Sequence, residues 1–98
     1  MVPRVTLDSR VVSSGSQLSS TLGEETVILG VESGTYYGLD QVGTRIWSLL
    51  SEEHSIEEIR DVIVSEYDVT PERCAEDLVT LVQELVERGL VRVSGDAS

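Results

Sequence analysis

The side chains in this sequence that could react or hold a metal are few: one histidine, one cysteine, three tyrosines and 18 carboxylates. His54 would have to carry a zinc site or a Ser–His–Asp relay nearly alone, from a predicted loop with no nucleophile motif beside it. Cys74 has no second cysteine, which excludes an intrachain disulfide and a Cys-rich metal site. Tyr36 and Tyr37 fall in a predicted strand, where tyrosines more often pack than react. These residues predict a protein that is not an enzyme and needs no cofactor or metal.

The charge points to binding instead. The 98 residues carry 18 acids against seven arginines and no lysine, a net charge of −11. Twelve of the acids lie between Glu52 and Glu87, with only Arg60 and Arg73 among them. Such a surface repels phosphate, so nucleic acid and anionic membranes are poor partners, and a basic peptide or protein is a better one. Solubility alone would also account for it. No apolar run approaches the ~18 residues of a membrane span, and Met1-Val2-Pro3-Arg4 lacks the apolar stretch of a secretory signal. A cytoplasmic location is expected.

The elements that would position a binding site follow from periodicity and punctuation. One domain is expected over 1–98, ordered from about 4 to 93. Residues 4–14 predict one short strand around Val5–Leu7 and Val11–Val12. Residues 13–23, with five Ser, one Thr and two Gly, predict a flexible loop. Residues 25–31 and 35–39 predict a hairpin turning at Glu32-Ser33-Gly34. Thr35, Tyr37 and Leu39 then share one face, and Tyr36 and Gly38 the other. Asp40 caps a first helix with Val42, Ile46, Trp47, Leu49 and Leu50 on its stripe. Ser51–His54 read as a polar connection. Ser55 and Glu58 form a capping box for a second helix that buries Ile56, Ile59, Ile63 and Tyr67. Thr70-Pro71 open a third helix that runs to Arg88 and ends at Gly89. Residues 90–93 predict a short strand or packed tail, and 94–98 disorder. The order implies an α+β, winged-helix-like fold: a three-stranded antiparallel sheet followed by three helices.

The third helix carries more apolar surface than a core needs. Cys74, Leu78, Leu81 and Leu85 make one stripe; Ala75, Val79, Val82 and Val86 widen it to about 160°, against the ~100° of a core-facing helix. Either the helix is wedged deep, or the extra strip lines a groove whose acidic margin includes Asp77, Glu84 and Glu87. The strand 35–39 offers an edge on which an extended peptide could add as a further strand.

The run Gly34-Thr35-Tyr36-Tyr37-Gly38-Leu39-Asp40, then Gly43, Ile46-Trp47, Leu49-Leu50, Ser55-Ile56-Glu57-Glu58-Ile59, Asp77-Leu78, Leu85 and Gly89-Leu90-Val91 resembles the PqqD-like family over roughly residues 5–93. Members are recognition domains for ribosomally made, post-translationally modified peptides. The chain looks most like the stand-alone recognition proteins of lasso-peptide pathways. The resemblance implies a leader peptide that adds to Thr35–Leu39 and packs on the third helix through Leu78, Val79, Val82 and Val86. Val31, Asp77, Leu81 and Leu85 complete the expected peptide-binding set. It also implies two enzyme partners, a cysteine-protease-type leader peptidase and an ATP-dependent cyclase. Asp40 stands where relatives more often carry Asn; both cap a helix. Two alternatives remain open: service to a radical-based or other modifying enzyme, and a winged-helix DNA-binding regulator.

Overall fold

The predicted hairpin forms, and it gains a strand. In the computed structural model, which describes residues 3–15, 17–31, 34 and 36–95, six strands and three helices follow one another. They are β1 (Arg10–Ser13), β2 (Gln17–Leu22), β3 (Glu25–Gly30), β4 (Tyr36–Leu39), α1 (Gln41–Leu49), β5 (His54–Ser55), α2 (Ile56–Glu66), α3 (Pro71–Glu87) and β6 (Val91–Gly95). The fold is α+β, with three helices and three-stranded antiparallel pairing, loosely of winged-helix type. There are two such sheets rather than one, ordered β5-β1-β6 and β2-β3-β4.

Both sheets draw strands from segments that read as loop, connection or tail. The Ser-rich stretch expected to be flexible contains β2, which pairs with β3 from Gln17↔Gly30 to Leu22↔Glu25. β2 overhangs the core, so its Ser and Thr side chains meet water on both faces and no apolar alternation is needed. Residues 4–9 are not strand; β1 begins only at Arg10, and Val5 is buried by other means. The Gln83 side-chain carbonyl accepts from the Val5 amide at 2.8 Å, and its amide group donates to the Pro3 carbonyl at 3.0 Å. His54, expected in a connection, pairs with Val11, and the capping residue Ser55 pairs with Arg10. Ser94 and Gly95, expected to be disordered, belong to β6 on the other side of β1. Residues 96–98 lie outside the described residues, as do Glu32, Ser33 and Thr35. Gly34 is described, at φ 70°, with its amide bonded to the Gly30 carbonyl at 2.8 Å.

Helix boundaries follow their caps. Asp40 accepts from the Gly43 amide at 2.8 Å. Glu58 accepts from the Ser55 amide at 2.8 Å, and the Ser55 hydroxyl accepts from the Glu58 amide at 3.2 Å, completing the capping box. Thr70 caps α3 with Pro71 in its first turn, and Gly89 leaves it at φ 75°. The core forms where the helices meet β1, β3 and β4; Val11, Ile28, Leu50, Ile56, Leu78, Val82, Leu85 and Leu90 are all essentially inaccessible. Arg45 on α1 makes a two-pronged bond to Glu66 at the end of α2, at 2.8 and 2.9 Å.

Candidate functional site

β4 pairs with β3 through Leu39↔Thr26, Gly38↔Val27, Tyr37↔Ile28 and Tyr36↔Leu29. Among the described residues nothing pairs with its other side. That edge presents alternate amides and carbonyls to water, the arrangement that accepts an added strand. Alternation sends Leu39 into the core and leaves Tyr37 half-buried on the inner face, with Tyr36 67% exposed on the outer one.

Beside the end of β4 lies a groove of about 730 Å³. Its apolar surface comes from four places: Leu39 on β4, Val42 and Ile46 on α1, Ile63 with Tyr67 and Val69 at the close of α2, and Cys74, Leu78 and Leu81 on α3. Asp40, Asp68 and Asp77 stand on its margin, and among the described residues no basic side chain lines it. Gly43 lets α1 start close against β4: a Cβ there would sit 3.1 Å from the Leu39 side chain. A cleft with an apolar floor and an acidic margin suits an extended segment that carries both aliphatic and basic side chains.

Tyr37 closes one end. Its phenol donates to the Glu84 carboxylate at 2.5 Å, and the Arg88 guanidinium carbon lies 5.1 Å from the ring centroid. The bond to Glu84 pushes the phenol above its ordinary value of 10.0; burial and the carboxylate's charge reinforce it, and Arg88 opposes. Burial likewise pushes the Cys74 thiol up, with Asp77 adding to the effect, so at neutral pH it is a thiol and a poor nucleophile. Among the described residues no three His, Cys, Asp or Glu side chains gather as a metal site would require. No helix among them is long and apolar enough to cross a membrane.

Helix geometry decides which expected contacts meet here. Residues step about 100° around the axis. Leu78, Val82 and Leu85, at 1%, 0% and 0% exposure, point into the core. Leu81 and Asp77 lie on one flank and line the groove; Glu84 and Arg88, on the same flank, hold Tyr37. Val79 and Val86 lie on the opposite flank, with Leu81 and Val79 roughly 160° apart. That flank also bears Gln83, which holds the N-terminal segment. Thus Tyr37, Gly38, Leu39, Asp77, Leu78 and Leu81 of the expected set come together around the groove. Val82 and Leu85 are core, Val79 and Val86 face away, and Tyr36 and Val31 project from the sheet at 67% and 58% exposure. Thr35 lies outside the described residues. The sequence leaves open which margin of the wide apolar arc lines a groove; here the groove lies on the Asp77–Leu81 flank, while Val79 and Val86 lie on the other. The α1 and α2 residues of the groove went unrecognised, since their apolar spacing reads as ordinary core.

An α+β module with an open strand beside an apolar, acid-rimmed groove is thus what fold and site define. The family profile described as coenzyme PQQ synthesis protein D, PqqD, matches residues 25–91. Among solved structures, TbiB1 in complex with the TbiA(beta) leader peptide is similar to this chain, at 39% identity and a TM-score of 0.78. That match covers 87% of this chain and 99% of TbiB1. No curated protein sequence matches the chain. The chain belongs to the PqqD family.

Proposed function

We propose that this chain is a single recognition domain for the leader segment of a ribosomally made precursor peptide. The leader adds as a strand to the open edge of β4 and seats side chains in the groove against α3. The observation that carries this reading is the open β4 edge beside the groove, in a chain 39% identical to one solved with a leader peptide bound. The contacts proposed on β4 and α3 are Tyr37, Gly38, Leu39, Asp77, Leu78 and Leu81. The chain performs no chemistry itself; it raises the local concentration of precursor near the enzymes that act on it. We place it in the cytoplasm, in a lasso-peptide pathway, serving a cysteine-protease-type leader peptidase and an ATP-dependent cyclase. The outer sheet face supports a further protein contact: Leu18, Val27, Leu29, Val31 and Tyr36 are all more than 40% exposed there.

The test is calorimetric titration of the protein with the synthetic leader half and core half of its precursor. Binding of the leader half alone is expected; equal binding, or binding of the core half only, overturns the reading. The match to PqqD favours, as second reading, service to a radical-based modifying enzyme. The neighbouring open reading frames decide between the two: a cysteine-protease-like and a synthetase-like gene for the first, a radical enzyme for the second. A DNA-binding role is disfavoured because α3 would carry Glu72, Glu76, Asp77, Glu84 and Glu87 towards phosphates.

A further inference from the structure

Among the described residues the sheet β2-β3-β4 has a second unpaired edge, on β2, and that strand lacks the features that keep edges apart. Sheet edges in monomeric proteins carry lysine, other charges, proline or a bulge that blocks pairing. Gln17–Leu22 has no charge and no proline in a chain of net charge −11, and it pairs with β3 residue for residue without a bulge. It carries instead Leu22 and Leu18, 81% and 64% exposed. Leu18 lies opposite Leu29, which lies opposite Tyr36, so an apolar row runs from the β4 side of the outer face to the β2 edge and stops there in water.

The order of residues along β2 is complementary to itself. Antiparallel pairing of two copies about a two-fold axis at Ser20 sets Ser20 opposite Ser20, Leu18 opposite Leu22, Leu22 opposite Leu18, and Ser19 opposite Thr21. Opposed residues in an antiparallel pair share a face, so both Leu–Leu pairs fall on the outer face and continue the apolar row into the second copy. Ser19 and Thr21, both exposed, meet on the other face.

We propose that β2 is a self-association edge: two copies of this chain pair β2 to β2 in antiparallel fashion about Ser20, forming a continuous six-stranded sheet. The partner is a second copy because the edge offers no charge to recruit an unlike one and its pattern is satisfied by its own reversal. Such a contact is isologous and closes at two copies. It leaves both β4 edges free at the far ends of the joined sheet, so a dimer carries two unobstructed grooves. The pairing does not depend on what the grooves bind. Six residues a side are less than a standard interface, which sets the dissociation constant on the order of 10–100 µM. The two acidic copies repel, so salt strengthens the dimer.

Sedimentation equilibrium over a concentration series, at low and high salt, tests this on the full chain. Expected is a monomer–dimer equilibrium that tightens with salt. Ser20→Lys sets like charges opposite each other and weakens the dimer by about tenfold or more. Leu22→Glu also weakens it. The double variant Leu18→Lys/Leu22→Glu sets unlike charges opposite each other and restores it, which no other register does. Tyr36→Lys, on β4, leaves it unchanged. All four positions of change are exposed in the monomer, and circular dichroism verifies folding of each variant. A wild-type chain that stays monomeric at roughly millimolar concentration overturns the proposal, where the pairing above would give mostly dimer. So does a dimer that survives Ser20→Lys, one lost in Tyr36→Lys, or a double variant weaker than Leu22→Glu alone.

Discussion

Val82 and Leu81 are neighbours in sequence with opposite assignments. Val82 is inaccessible, so Val82→Asp buries a charge without a partner and should unfold the chain, at a cost of about 4 kcal/mol or more. Leu81 lines the groove and is half-exposed, so Leu81→Asp should stay folded and lose leader affinity by about 10- to 100-fold. Circular dichroism and calorimetry on the pair measure both; a folded Val82→Asp, or a Leu81→Asp that binds normally, contradicts the flank assignment. Tyr37 gives a pH prediction at the same scale. Its folded value lies above the ordinary 10.0, so the native state holds this proton more tightly than the unfolded chain. Its contribution to stability is full below about pH 10 and lost as pH rises through the folded value. Ultraviolet titration should show one late-titrating phenol that disappears in Tyr37→Phe.

The strand β4 and the helix caps act as units. Proline removes an amide hydrogen, and along β4 alternate amides face β3 and the open edge. Tyr36 and Tyr37 have opposite parity, so of Tyr36→Pro and Tyr37→Pro one should disturb the β3–β4 pairing. The other should stay folded and lose leader binding, relative to alanine at the same site. If both stay folded and bind leader, β4 is not the docking edge. At the start of α2, the Ser55 amide holds the Glu58 carboxyl below its ordinary 4.5, and Arg45 does the same for Glu66 at the helix end. Depressed carboxyls stabilise above that value and lose the contribution as pH falls through the folded ones. The melting temperature should therefore drop on acidification below about pH 4.5, less steeply in Arg45→Gln.

The whole molecule's charge acts on encounter. With −11 spread over the chain and Asp40, Asp68 and Asp77 at the groove, a basic leader should bind more weakly and associate more slowly as salt rises past the ~8 Å Debye length of physiological solution. Stopped-flow association rates across a salt series measure this; rates that do not change would assign the acidic surface to solubility. Dimerisation through β2 should respond in the opposite sense, so one salt series separates the two processes.

The hairpin at Gly34, the three caps at Asp40, Ser55 and Thr70, the terminating Gly89 and the stripes of α1 and α2 were legible in the residues. Each depends on contacts within a few positions of chain: a side chain reaching its own helix's amides, a glycine at positive φ, an alternation along one strand. Family membership was legible for the same reason, because Tyr36-Tyr37-Gly38-Leu39-Asp40 and Ile46-Trp47 form a local pattern. What tertiary structure alone decided is set by partners far away in sequence. β2 is a strand because β3 lies beside it, although its serines favour loop. β6 is ordered because β1, some 80 residues earlier, supplies its hydrogen-bond partners. Leu81 rather than Val79 faces the groove because β4 and the N-terminal segment cover different flanks of α3. An amphipathic pattern states how much surface a helix must bury, but what covers each margin depends on how the other elements pack against it.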